Sequence, residues 1–154
     1  MRYIPLCLLV VVLGGSMALA DDATELAETL TKQGAVDFSA RDARALAESY
    51  TDDGTVAVVV HDQSTGGAKE IEKQGRREIQ ELYEEMFRDG LTIDAHNEVD
   101  YARKIGSDFL MIAGTFEIKR GLLEVTRMPF VQVRIKQGDR WLIQSMRVVF
   151  EPKS

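Results

Sequence analysis

The sequence contains very few of the side chains that bind metals or form disulfides. Its 154 residues include one cysteine and two histidines. A closed zinc site of Cys and His ligands, an intramolecular disulfide and a cysteine-ligated iron-sulfur cluster each need more thiols or imidazoles than this. We therefore expect no metal site and no other cofactor.

Proline is scarce as well, glycine is not enriched, and basic residues are outnumbered by acidic ones. With 3 Pro, 12 Gly and 45% hydrophobic residues, the composition excludes long disorder and collagen-like repeats. Acidic side chains outnumber basic ones by 25 to 19, which gives a net charge of −6. This balance disfavours nucleic acid or an anionic membrane as the main partner.

The N-terminal residues have the pattern of a cleavable export signal. Arg2 precedes an apolar run over residues 4–13, and Ala18-Leu19-Ala20 places small residues at a cleavage position. The run is about half of the ~20 residues that a helix needs to cross a bilayer. We expect residues 1–20 to be removed on export to the periplasm or the extracellular space. Residues 21–154 would remain as a single domain with no stable membrane anchor.

Apolar spacing predicts three helices in the first part of the chain. One segment covers residues 26–38 and a second covers residues 43–47, with a break near residue 41 and Asp42 as a plausible N-cap. An amphipathic helix follows from Gly75 to the Asp89-Gly90 pair. Between these helices, the β-branched residues 55–60 predict a strand, and residues 61–67 predict a loop.

After Gly90 the apolar period changes from that of a helix to that of a strand. Four strand-like segments are separated by turns at Gly106, Gly121 and Gly138, and they cover residues 92–103, 109–119, 123–136 and 140–150. Helices followed by a four-stranded meander predict the α+β class. We expect a cone-shaped, curved antiparallel sheet with the N-terminal helices on its concave face.

Four groups of residues resemble the landmarks of a known family. They are Ala40-Arg41-Asp42 with Leu46, the segment from Tyr50 to Val56, the segment from Gly75 to Ile79 with Tyr83, and the segment from Gly138 to Ile143. In this order and at this spacing they resemble the SnoaL-like and ketosteroid-isomerase-like branch of the nuclear transport factor 2-like superfamily. The resemblance implies a cone around an apolar pocket, often dimeric, and it is compatible with isomerases, cyclases, dehydratases and non-catalytic binding domains.

The resemblance also allows a residue-level test of catalysis. Ketosteroid isomerases use a tyrosine, a carboxylate base and a protonated aspartate in a dry pocket. These three positions fall on Gly34, on Val58 and on or next to Val131. Valine and glycine side chains neither accept nor donate a proton, so we expect no catalytic residues of this type. A lyase or isomerase with a different acid-base set, and a purely structural dimeric assembly domain, are the alternatives.

The expected pocket follows from the resemblance and from the last hairpin. If Gly138-Asp139 is the loop, Gln137 pairs with Arg140, and Val131 shares a mostly apolar face with the far half of the last strand. We expect this face to bind a small, mostly apolar molecule, although packed core would look the same. The predicted pocket residues are Tyr50, Val58, Tyr83, Val131, Gln144, Met146 and Phe150.

The opposite face of the same hairpin mixes aromatic, aliphatic and basic side chains. Such a mixture suits a subunit contact, so we expect a homodimer through this face. The predicted interface residues are Phe130, Arg134, Trp141, Ile143 and Arg147.

The histidines provide weaker alternatives. His61 with Asp62 and His96 could act as an acid-base pair, or could hold a metal with one carboxylate. Polar residues facing solvent on an edge strand would show the same pattern. We therefore interpret both histidines as surface residues.

Overall fold

Three helices and six strands make up most of the described chain. The computed structural model describes residues 16–62, 66–121 and 124–151. The order is α1 (Ser16–Ser39), α2 (Ala43–Glu48), β1 (Tyr50–Asp62), β2 (Gly67–Gln74), α3 (Gly75–Met86), β3 (Ile93–Ile105), β4 (Phe109–Arg120), β5 (Glu124–Gln137) and β6 (Arg140–Phe150). The predicted α+β class is confirmed.

Most of the predicted export signal lies outside the described residues. The description begins at Ser16, the first residue of α1, so the expected cleavage after Ala20 falls within this helix. No helix in the described ranges is both long and apolar enough to cross a membrane. Export and cleavage stay predictions.

The first two helices are separated at the predicted position. Arg41 has a φ of 59°, in the left-handed region that ends a helix. The Asp42 carboxylate then accepts a hydrogen bond of 2.9 Å from the Ala45 backbone N–H, which makes Asp42 the N-cap of α2. The Arg41 guanidinium donates to the carbonyl of Phe87, immediately after α3. The turn between α1 and α2 is thereby attached to the end of α3.

The six strands form one open sheet in the order β2-β1-β6-β5-β4-β3. Neighbouring strands are antiparallel, as expected, except β1 and β6, which are parallel, so the sheet as a whole is mixed. The predicted meander from β3 to β6 is present. Its turns contain Gly106, Gly121 and Gly138, each with a positive φ that favours glycine.

Strand β2 was not predicted. Its sequence GAKEIEKQ is mostly exposed, and the prediction gave no strand between residue 60 and the third helix. The strand pairs along its whole length with β1, from Thr55 opposite Gln74 to Asp62 opposite Gly67. Backbone pairing with β1, and not a buried side-chain face, therefore stabilises this edge strand.

Three irregularities in strand pairing accompany the bending of the sheet. In β1 the register with β6 shifts between Tyr50 and Thr55. In β3 the register with β4 shifts between Val99 and Tyr101. Between β5 and β6, Val133 lies opposite Ser145, whereas the next residue, Arg134, lies opposite Ile143. Gln144 is therefore an extra residue in β6 at which the register shifts. Such bulges bend a strand and reverse the face on which later side chains lie.

The helices cover one side of the sheet, which we call the inner face. The main core lies between this face and the helices and includes the fully buried Val56, Ile79 and Ile112. The other side, the outer face, has no helix packed on it in the described chain and exposes Tyr101, Phe109 and Val131. The two faces therefore present very different environments to the residues of each strand.

Candidate functional site

A cavity of about 510 Å³ lies between the helices and the inner face. All three helices and strands β1, β3, β4, β5 and β6 contribute to its wall. Most of the wall is apolar, and it includes Leu30, Phe38, Val56, Phe116, Phe130 and Met146. Its size is within the range of about 300–1,000 Å³ that is usual for small-molecule sites.

Small residues and polar contacts hold α1 against the sheet beside this cavity. Ala27 and Ala35 are buried, and their short side chains permit a close approach to β3. The Asn97 amide donates to the Thr31 carbonyl at 2.8 Å, and the Ser39 hydroxyl accepts from the Ala95 backbone N–H at 2.9 Å. Helix α1 is thus fixed in a position where its other side chains form one wall of the cavity.

Aromatic side chains make the helical wall rigid. The Phe38 ring packs edge-on against Tyr83, Phe87 and Phe116, with centroid distances of 6.1, 5.0 and 5.0 Å. Tyr83 and Phe87 are one helical turn apart in sequence and stack with their centroids 6.2 Å apart. These contacts join α1, α3 and β4 around the cavity and fix the orientation of the Tyr83 ring.

Two phenol groups lie inside the apolar wall. Tyr50 is 1% exposed and Tyr83 is 6% exposed, and their hydroxyl oxygens are 3.2 Å apart. The Tyr50 hydroxyl also lies 3.7 Å from the Met146 sulfur. Burial raises the pKa of Tyr83 and raises that of Tyr50 well above its usual value. Both phenols are therefore neutral hydrogen-bonding groups at pH 7.

Arg134 introduces a positive charge into the same cavity. Its side chain is buried, with 4% of the residue exposed. Nε donates to Gln132 Oε1 at 3.0 Å, and Nη1 donates to the Trp141 carbonyl at 3.2 Å. Burial lowers the pKa of Arg134 to about 10, an effect that Tyr50 and Tyr83 partly offset. The guanidinium is therefore still protonated at neutral pH.

The structure places four of the predicted pocket residues in the cavity wall: Tyr50, Val58, Tyr83 and Met146. The other three do not line it. Gln144 is the bulge residue, and its amide oxygen accepts a hydrogen bond of 3.2 Å from the Thr51 hydroxyl. Phe150 packs against the edge of the buried core. Val131 is 48% exposed on the outer face.

Most of the predicted interface residues are internal. The hairpin face that was assigned to a subunit contact is mostly the inner face of the sheet. Phe130, Arg134 and Ile143 are buried, and together with Trp141 they line the cavity. Arg147 alone lies exposed on the outer face, where it forms a 3.0 Å ion pair with Glu70. The assignment failed because β5 carries apolar side chains on both faces, so alternation alone does not identify the inner one.

The two histidines do not come together. His61 lies at the end of β1 and His96 lies on β3, and both side chains are exposed. Four strand pairings separate β1 from β3, so a shared metal or an acid-base pair of these residues is excluded by the topology. In the described ranges, no three His, Cys, Asp or Glu side chains are grouped as metal ligands would be.

Solved structures show the relationship that sequence comparison does not. No protein-family model matches the sequence, and no curated protein matches it significantly. An NTF-2 like protein of unknown function from Shewanella oneidensis superposes with a TM-score of 0.65 at 17% identity, over 82% of this chain and 98% of that chain. The chain has the NTF2-like fold.

Further solved structures with a similar fold do not identify an activity. A domain of unknown function with a cystatin-like fold from Nostoc punctiforme has a TM-score of 0.66 at 14% identity, covering 86% of this chain and 79% of that chain. A ketosteroid isomerase-like protein from Erwinia carotovora has a TM-score of 0.58 at 16% identity, covering 89% and 97%. At these identities the likeness concerns the fold, and function has to be argued from the cavity.

The residues at the isomerase positions of this NTF2-like domain can now be located. Gly34 and Val58 line the cavity, whereas Val131 does not. The inward residues next to Val131 are Phe130 and Gln132, and the Gln132 amide nitrogen lies 3.1 Å from the Met146 sulfur. An amide can donate a hydrogen bond but cannot act as a general acid or base near neutral pH.

Proposed function

We propose that this domain binds a small, mostly apolar molecule in the cavity, without chemical conversion, after export from the cytoplasm. The observation that carries the proposal is a preformed cavity of about 510 Å³ with an apolar wall and two buried phenols. The wall would desolvate an apolar body, and a phenol would orient one polar atom.

The distribution of titratable groups supports a non-catalytic role. Among the described residues that line the cavity there is no histidine, and its two carboxylates, Asp37 and Asp139, are not buried. Asp37 accepts a hydrogen bond of 2.8 Å from Gln33, and Asp139 is exposed in the turn between β5 and β6. The isomerase carboxylates act inside a dry pocket, whereas neither of these two carboxylates is buried.

Blocking the cavity from α1 tests the binding site directly. Gly34 lines the cavity, and a Cβ added there would meet no atom within 4 Å. Gly34→Phe should therefore place a ring in open space and reduce the affinity for the uncharged dye N-phenyl-1-naphthylamine by about tenfold or more, measured by fluorescence titration. The helix should tolerate the change, because glycine is a poor residue in a helix interior.

Val36→Phe is the matched control, since Val36 lies on the same helix but is 53% exposed. It should leave dye binding unchanged. A wild-type protein that takes up no dye would contradict the proposal, as would equal binding to the Gly34→Phe variant. A β,γ-unsaturated ketosteroid should not be isomerised, as followed by ultraviolet absorbance, and turnover above the uncatalysed rate would contradict the non-catalytic role.

The export part of the proposal rests on the N-terminal sequence. Intact-mass analysis of the exported protein should give a chain that begins at Asp21. Recovery of the full-length chain in the membrane fraction would contradict cleavage at Ala20.

A further inference from the structure

Arg134 lies in the cavity wall without a counter-charge. Its two hydrogen bonds go to neutral acceptors, the Gln132 side-chain amide and the Trp141 carbonyl. No carboxylate of the described chain forms an ion pair with it, and Nη2 makes no hydrogen bond to a described residue. Burying a charge in this way is unfavourable unless something completes its environment.

A continuous polar strip extends from this arginine across the otherwise apolar cavity. Arg134 contacts Gln132, and the Gln132 amide contacts the Met146 sulfur at 3.1 Å. The same sulfur lies 3.7 Å from the Tyr50 hydroxyl, which is 3.2 Å from that of Tyr83. One polar strip, positively charged at one end and with phenols at the other, therefore crosses an apolar wall.

A purely structural role would account for only part of the side chain. The bond to the Trp141 carbonyl joins β5 to β6, but these strands are already paired through their backbones. A guanidinium has five N–H donors in a planar fork that matches carboxylate and sulfonate oxygens. Arg134 lines the cavity, and its Nη2 donors make no hydrogen bond to a described residue.

We propose that the cavity is selective for amphipathic organic anions, with Arg134 binding a carboxylate or sulfonate head and the apolar wall holding a ring or chain. This inference rests on the proposed binding function and adds the chemical class of the ligand. The neutral phenols of Tyr50 and Tyr83 supply further hydrogen bonds to the head group or to a second polar atom. Because the charge is fixed in a desolvated wall, it discriminates between charged and uncharged molecules of the same shape.

Two dyes that share one ring system test this selectivity. 1-Anilinonaphthalene-8-sulfonate is N-phenyl-1-naphthylamine with an added sulfonate, and both fluoresce more strongly when they are buried. Arg134→Met should weaken the sulfonate dye by about tenfold or more and the uncharged dye by no more than about threefold. Arg134→Lys should bind the sulfonate dye more tightly than Arg134→Met but less tightly than the wild type, because it keeps the charge and loses the planar fork.

Arg147→Met is the matched control, since it removes an arginine from the outer face of the adjacent strand. It should leave both affinities unchanged. A second experiment uses the wild-type chain alone, so that it does not depend on the folding of a variant. There, 2-naphthoate should displace bound N-phenyl-1-naphthylamine at concentrations at least about tenfold lower than 2-naphthalenemethanol does.

The outcomes separate this inference from the proposed function. If the uncharged dye binds but the naphthoate competes no better than the alcohol, the anion selectivity is wrong and the binding function stands. An equal loss of both dyes in Arg134→Met would also overturn the selectivity. If the wild-type chain binds neither dye and neither competitor, both proposals are wrong.

Discussion

Arg134→Met should remove the charge from the cavity without weakening the fold. Loss of a buried, hydrogen-bonded arginine is usually expected to destabilise a protein. Here the guanidinium has no anionic partner in the described chain, so the folded state carries the cost of desolvating its charge. Methionine has a similar length and a flexible apolar side chain that can fill the space.

The pKa of Arg134 gives the size of the effect. Burial lowers it from the ordinary arginine value to about 10, which at 1.36 kcal/mol for each pKa unit corresponds to about 3 kcal/mol of unfavourable free energy at pH 7. The variant also leaves the Gln132 oxygen and the Trp141 carbonyl without a donor, at a cost of about 1–2 kcal/mol each. The two contributions nearly cancel, so the free energy of unfolding should stay within about 1 kcal/mol of the wild-type value.

The same pKa sets a pH dependence with a definite sign. In the folded state Arg134 loses its proton at lower pH than in the unfolded state, so from about pH 10 up to the ordinary pKa of arginine the unfolded state binds more protons. The stability of the wild type should therefore rise relative to Arg134→Met as the pH increases through this window. Below about pH 10 the difference between the two proteins should be constant.

Urea denaturation followed by circular dichroism measures these differences. Arg147→Met serves as the reference, because it breaks an exposed ion pair worth no more than about 1 kcal/mol. A loss of more than about 3 kcal/mol in Arg134→Met would refute the reasoning. It would show that the hydrogen bonds to Gln132 and Trp141 outweigh the burial of the charge.

Two further predictions concern the phenols and the outer face. Tyr83→Phe keeps the ring contacts with Phe38 and removes only the hydroxyl, so it should weaken the binding of a ligand with a matching polar atom by about 0.5–1.5 kcal/mol. Calorimetric titration would measure this change. An unchanged affinity for such a ligand would contradict a role for the hydroxyl. The expected homodimer would use the exposed apolar residues of the outer face, Tyr101, Phe109 and Val131. Val131→Glu should therefore shift the mass measured by light scattering toward that of a monomer. A wild-type monomer at micromolar concentration would contradict the homodimer.

The helices and the meander could be predicted because local signals and the fold agree in these segments. The N-cap at Asp42 and the glycine turns specify backbone geometry through side chains that are adjacent in sequence. Strand β2 could not be predicted in the same way. It is an exposed edge strand that pairs with β1, and its charged sequence lacks the alternation of a half-buried strand.

The candidate site was only half predictable, and the reason is one residue in β6. From the hairpin turn as far as Arg134 opposite Ile143, the strict register and the observed register are identical. Beyond that pair, the bulge at Gln144 places Met146 opposite Gln132, whereas strict alternation would have placed Ser145 there.

This bulge determines the composition of the cavity. It combines the inner residues of β5, Phe130, Gln132 and Arg134, with the apolar far half of β6, and it leaves Val131 on the outer face. A regular hairpin would have placed Met146 on the face opposite to the arginine. Because a bulge carries no alternation signal of its own, the feature that brings the charge and the sulfur to one face is visible only in the pairing of the strands.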